Sequence, residues 1–338
     1  MSFMFLIILS ANVSAQNIFS QSDVLYNVTL RPNVTVNMHA TILQRRGFSI
    51  GNRTILAVHG LSHTGNAMIP LASEILKKDF TVSRIVLIDL PGRNGSSVPT
   101  NLLFGNLVMD DYVTSIIGTL NFMKARKMPA STIVAHSMGS ILVELVQQRL
   151  QTEGTNLKNK YGVNLFLAIT SSIPNPLPWY LADSGNAGQL AGQFITASPE
   201  LGQYVSIPPE GWISLFFTNL SGVVVPGALS ANDIISKKYN ANEPLLSTLQ
   251  LLGIAGFQRP YVSQNIFNKA NGTFMILAAM SQDTTVSVEE ARALYRYLTG
   301  DKNEYGFAVV TEDDAVHDML ISKPRLLLKD LTTDLLKF

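Results

Sequence analysis

The chain contains no cysteine, which excludes disulfides, a thiolate nucleophile and any cysteine-ligated metal. Charge is scarce as well: charged residues make up 14% of the sequence and the formal net charge is +1. No basic surplus suits nucleic acid or an anionic membrane, and no acidic run suggests a disordered tail. The most apolar stretch near the start, Phe3–Leu9 (FMFLIIL), is far shorter than the about 20 residues that a membrane-spanning helix needs. No H-E-x-x-H pair and no Walker-type loop occurs. What is abundant is apolar residues, 46% of 338, enough for one large domain or for a core carrying a substantial insertion.

Phe3–Leu9 is followed by Ser10-Ala11-Asn12 and Val13-Ser14-Ala15. A short apolar run ending in a small-x-small triplet reads as a secretory signal at residues 1–15, cleaved after Ala15, and implies a secreted or periplasmic protein. Met1-Ser2 lacks the usual Lys or Arg, and a buried or frayed N-terminus is the alternative. Sequons at Asn12, Asn27, Asn33, Asn52, Asn94, Asn219 and Asn271 are read as mostly incidental in a chain rich in Asn, Ser and Thr.

Asp23 to Gln44 reads as two strands around a turn at Arg31-Pro32-Asn33. Short apolar runs at Thr54–Val58, Val82–Leu90, Ser131–Ala135, Val163–Thr170, Gly272–Met280 and Gly306–Val310 predict buried strands. Between them, Asn66–Lys78, Val108–Lys124, Ser140–Leu150, Val288–Leu298 and Leu326–Phe338 have helical spacing. Strand–helix alternation predicts a mostly parallel α/β sheet with helices on both faces. Thr170 to Gly272 breaks the rhythm with proline clusters (IPNPLPWY, SIPPEGW) and aromatic residues. It is expected to be a largely helical cap, giving core residues 16–171, cap 172–271 and core 272–338.

Three motifs carry chemistry. Thr132–Leu142 (TIVAHSMGSIL) runs from a buried strand through A-H-S-M-G into a helix. This resembles the nucleophile elbow G-x-S-x-G, with Ala135 in place of the first glycine. Ile55–Gly65 (ILAVHGLSHTG) places His-Gly after a buried strand, and Ile88–Ser97 (IDLPGRNGSS) resembles the loop D-x-P-G-x-G-x-S with one extra residue, Asn94. In type and order these motifs resemble the α/β-hydrolase family, and the resemblance covers nearly all of the chain after Asp23.

The resemblance implies Ser137 as nucleophile and the backbone N–H groups of Leu61 and Met138 as the oxyanion hole. In this family the acid and then the histidine follow the serine in chain order. His317, within TEDDAVHDML, is the one histidine after Ser137 and is the expected base. Asp283, in FMILAAMSQDTTV, is the expected acid, although Met280 stands where the family has glycine; Asp313, Asp314 and Glu144 are rivals. His59 and Asp89 are expected to brace loops, and His63 has no assigned role.

The resemblance thus implies hydrolysis of a carboxylic ester (esterase, lipase or lactonase type) through an acyl-enzyme, with no cofactor and no metal. The substrate is expected to be small and apolar; no nucleic acid partner and no membrane span are expected. The same triad could instead act on a C–C or amide bond or transfer an acyl group, and a ligand-binding protein could retain the fold. An epoxide hydrolase or dehalogenase is disfavoured, because those relatives carry Asp at the elbow.

Overall fold

The computed structural model describes residues 18–47, 50–183, 192–225 and 228–335; the signal-peptide reading of residues 1–15 falls outside them. The strands are β1 (Phe19–Arg31), β2 (Val34–Arg45), β3 (Arg53–Val58), β4 (Val82–Asp89), β5 (Thr132–His136), β6 (Leu165–Ile169), β7 (Ile195–Ser198), β8 (Gly202–Val205), β9 (Glu243–Pro244), β10 (Phe274–Met280) and β11 (Phe307–Val310). The helices are α1 (Ile69–Lys78), α2 (Met109–Ala125), α3 (Met138–Thr152), α4 (Leu157–Tyr161), α5 (Tyr180–Asp183), α6 (Pro209–Phe216), α7 (Ala231–Lys237), α8 (Leu245–Leu252), α9 (Val288–Thr299), α10 (Met319–Ser322) and α11 (Pro324–Leu335).

Eight strands form one sheet in the order β1-β2-β4-β3-β5-β6-β10-β11. β1 and β2 are an antiparallel hairpin, β2 meets β4 antiparallel, and every pairing from β4 across to β11 is parallel. The parallel strands are short apolar runs because both faces are covered. Leu56, Val58, Val86, Ile88, Ile133 and Ala135 pack into one apolar layer, which also holds residues of α2, α3 and α9. Their neighbours Ile55, Ala57, Ile85, Leu87 and Val134 pack into the opposite layer with residues of α1 and α11. This is the two-residue repeat of a strand. None of the described helices is long and apolar enough to cross a membrane.

Residues 172–271 leave the sheet after β6 and return at β10. Among their described residues, β7, β8 and β9 form a small antiparallel sheet beside α5 to α8. Strands of four and two residues are too short to leave a readable alternation, and the proline clusters start helices instead of spanning them. Of the apolar side chains here, Trp212, Phe216, Phe217, Ile234 and Val225 are buried in the α1/α11 layer, and Trp179, Leu251, Leu252, Val262, Ile266 and Phe267 in the other. Polar contacts then fix the segment to loops at the C-terminal ends of the strands. Gly105 N–H donates to Leu201 O at 2.8 Å, Ala241 N–H to Ser62 O at 3.0 Å, and the Trp179 indole to Thr285 O at 2.9 Å.

Candidate active site

Ligand sites on open parallel sheets lie at the C-terminal ends of the strands, where loops from several strands converge. Here β3 delivers residues 59–64, β5 delivers Ser137, β10 leads to Asp283 and β11 to His317.

Ser137 sits between β5 and α3 with φ 51° and ψ −122°, a backbone geometry costly for a residue with a Cβ. The turn is held by Ser137 N–H donating to Ile169 O and Ser140 N–H donating to Ser137 O, both at 2.9 Å. Such a bend requires close approach of its neighbours. A Cβ on Gly139 would lie 2.5 Å from His59 O, and one on Gly60 would lie 3.0 Å from Ser137 Cβ. Ala135, fully buried, is small enough to stand where the resembling motif has glycine. Met138 opens α3, where the first N–H groups have no helical acceptor and the helix dipole favours negative charge.

His317 and Asp283 come together. His317 Nδ1 lies 2.8 Å from Asp283 Oδ2 and 2.5 Å from Thr285 Oγ1, so the Nδ1 proton points at both. Asp283 Oδ1 accepts from Thr285 N–H, Thr285 Oγ1 and Val286 N–H at 2.7, 2.7 and 3.1 Å. Burial works against charge on Asp283, but the His317 ring and these donors outweigh it and hold the carboxyl below its usual range. Burial likewise opposes a charged His317, yet Asp283 and then Asp318 push its pKa up. The Phe216 ring stacks on the His317 ring at 5.4 Å and 25°, placing an apolar surface beside it. The ring of His136, next to Ser137 in the chain, lies 4.9 Å from that of His317.

The rivals for the acid stand elsewhere. Asp314 pairs with Lys323, and Glu144, fully buried on α3, accepts from Ser171 Oγ at 2.9 Å. Burial pushes Glu144 up to about 8, so it is mainly neutral at pH 7. His59 braces its loop: its Nδ1 proton goes to Gly60 O at 2.9 Å and Nε2 accepts from Leu90 N–H at 3.1 Å. Asp89 accepts from Gly65 N–H at 2.7 Å and Asn94 Nδ2 at 2.9 Å, tying two loops together.

Two buried sets of contacts escape sequence reasoning. Glu243, from β9, pairs with Arg93 of the loop after β4, and Arg93 also donates to Tyr112 Oη at 3.0 Å. Asp318 lies 2.8 Å from His63 Nε2 through Oδ2 and 3.3 Å from His136 Nε2 through Oδ1. These partners are far apart in sequence, so spacing gives no signal for them. Among the described residues, His63, His136 and Asp318 are the one group of three or more His or acidic side chains whose ligand atoms all lie within 4.8 Å of one another.

No family model and no curated protein matches the sequence. Solved structures do match in fold. A thermophilic esterase from Thermogutta terrifontis aligns with TM-score 0.60 at 16% identity, covering 94% of this chain and 98% of that one. A bromoperoxidase from Bacillus anthracis aligns with TM-score 0.59 at 12% identity, covering 93% and 100%. A peroxisomal α/β-hydrolase from Saccharomyces cerevisiae aligns with TM-score 0.57 at 12% identity, covering 96% and 90%.

Proposed function

On the α/β-hydrolase fold that this chain has, we propose a serine hydrolase that cleaves a carboxylic ester through an acyl-enzyme on Ser137. The observation that carries this reading is His317. Its Nδ1 is fixed on the buried Asp283 carboxylate at 2.8 Å, in a loop at the same end of the sheet as the strained Ser137 elbow. A base needs such an orienting partner, which fixes its tautomer and stabilises the imidazolium that forms.

Ser137 Oγ attacks the ester carbonyl carbon while His317 Nε2 takes the hydroxyl proton. The carbonyl oxygen becomes an oxyanion between the N–H groups of Leu61 and Met138, where each donor is worth roughly a hundredfold or more in rate. His317 returns the proton to the alkoxide as the C–O bond breaks, releasing the alcohol and leaving an acyl-Ser137 ester. Water, deprotonated by the same nitrogen, then releases the acid and restores Ser137. The substrate is small and apolar, because the surface beside the base is Phe216 and the segment over the site carries few charges. The fold and triad alone serve other bonds too, so the ester is the part of this reading most in need of a test.

The test is turnover of p-nitrophenyl esters of increasing acyl length by the wild type and by Ser137→Ala, with folding checked by circular dichroism. Activity in the wild type that disappears in the variant supports the reading, and the chain-length optimum sizes the pocket. A well-folded wild type with no turnover of any of these esters overturns the ester assignment. We propose further that residues 1–15 are an export signal; N-terminal sequencing of secreted protein should begin at Gln16.

A further inference from the structure

The oxyanion N–H of Leu61 is borne by a loop with no regular structure, and Ser62 in it has φ 54°, outside the relaxed regions for a residue with a Cβ. Something outside the loop must therefore hold it. The peptide between Leu61 and Ser62 is gripped at both ends: Leu61 C=O accepts from His63 Nδ1, and Ser62 N–H donates to Glu243 Oε1 at 2.6 Å. His63 Nε2 then meets Asp318 Oδ2 at 2.8 Å, and Asp318 is the residue after the base. The other oxygen of Asp318 lies 3.3 Å from His136 Nε2, which also contacts His317 C=O at 3.0 Å. His136 is the residue before the nucleophile. All three side chains are 1% exposed or less.

We propose that Asp318 is a positioning residue that sets the oxyanion loop, the elbow and the base loop in register, through His63 on one side and His136 on the other. The proposal rests on the hydrolase reading above. Asp318 touches none of the reacting atoms. It fixes the Leu61 N–H relative to Ser137 and His317, and a small displacement of such a group costs disproportionately in rate. Three hydrogen bonds tie the cluster, His63 Nδ1 with Leu61 C=O, His63 Nε2 with Asp318 Oδ2 and His136 Nε2 with His317 C=O, while Asp318 Oδ1 and His136 Nδ1 have no hydrogen-bond partner; Leu61 C=O can only accept, so His63 Nδ1 carries a proton. His136 Nε2 faces two acceptors, and burial, followed by the neighbouring His317 and His63, takes its pKa down to about 3 against the pull of Asp318, leaving a neutral ring with its proton on Nε2.

The test compares Asp318→Asn, His63→Gln and the double variant in the ester assay. The expected result is a kcat lower by roughly tenfold to a hundredfold with KM nearly unchanged, and a double variant no worse than the poorer single one. A second readout separates positioning from stability. The titratable groups facing His317 are Asp283, Asp318 and His136, with Phe216 apolar on its other side. Removing the Asp318 charge should therefore move the acid limb of kcat/KM to lower pH. Unchanged kcat and pH profile in folded Asp318→Asn, additive losses in the double variant, or wild-type activity removed by a chelator would each overturn the proposal. If the wild type turns over no ester, the tie can still be read by NMR of 15N-histidine protein. The His63 Nδ1 proton should be shielded from exchange in the wild type and exchange fast in Asp318→Asn; the same rate in both would overturn it.

Discussion

In the sheet, β3, β4 and β5 are held by main-chain ladder pairing and by alternating apolar side chains shared between two layers. Residues 172–271 are held differently. Their aromatic residues are buried, but their place over the loops is fixed by a few polar contacts: Glu243 on Arg93 and on Ser62 N–H, Ala241 N–H on Ser62 O, and Trp179 on Thr285 O. Apolar burial is roughly proportional to area and non-directional, whereas a hydrogen bond specifies a partner and an angle. Small structural errors therefore have different consequences in the two regions. A loosened sheet costs stability, while a loosened contact between the inserted segment and the loops disturbs the groups proposed to act.

The largest effect expected from breaking this contrast is at Glu243. Glu243→Ala leaves the fully buried Arg93 guanidinium without its carboxylate, a loss of about 3–5 kcal/mol for a broken buried pair. It also frees Ser62 N–H, so ester turnover should fall along with the urea midpoint. Replacing both, Arg93→Met with Glu243→Leu, should recover most of the stability but not the turnover. Recovery of both would mean that the pair has no part in holding the oxyanion loop.

The counterpart in the sheet is Leu56→Ala, at a fully buried position of β3. A cavity there costs about 2–5 kcal/mol. Turnover per folded molecule at 25 °C should stay close to that of the wild type, which an active-site titration would check. A loss of turnover as deep as in Glu243→Ala would erase the distinction between the two regions.

Glu144 lies at the seam, on α3 and hydrogen-bonded to Ser171 just ahead of the inserted segment. Burial raises its carboxyl from 4.5 to about 8. The unfolded chain therefore loses this proton near its ordinary pKa, while the folded chain keeps it until about pH 8. Its contribution to stability is full below about pH 4.5 and is lost as pH rises towards 8, at up to about 1.4 kcal/mol per pH unit. Glu144→Gln should remove this slope from a series of denaturant titrations between pH 5 and 8. The smallest effect is expected at the exposed Lys160–Glu153 pair, where Lys160→Ala should change stability by no more than about 0.5 kcal/mol.

How much of this was legible in the sequence follows the same division. The parallel strands read as short apolar runs and the longer helices of the core as amphipathic periods, and their order predicted the parallel sheet, whereas the short helices Leu157–Tyr161 and Met319–Ser322 were not seen. The Ser137 elbow and the His-Gly loop were visible because a tight turn restricts the residues around it to small ones. The proposed base His317 was singled out by the chain order of the resembling family, and the proposed acid Asp283 by its place between a strand and a helix. The short strands Ile195–Ser198 and Gly202–Val205 were not visible, since four residues cannot display a period. Nor were the His63–Asp318 and Arg93–Glu243 contacts, whose partners lie 255 and 150 residues apart. Pairing over such distances is decided by tertiary packing and leaves no local pattern.

Ser137 as nucleophile is the proposal on which the others depend. Its most direct test is to treat the protein with an alkyl fluorophosphonate, which phosphonylates an activated serine hydroxyl, and to map the adduct by peptide mass spectrometry. A single stoichiometric adduct on the peptide containing Ser137, absent from Ser137→Ala and much slower to form in His317→Ala, is the expected result. No adduct on well-folded protein, or an adduct on another serine that persists in Ser137→Ala, would contradict it.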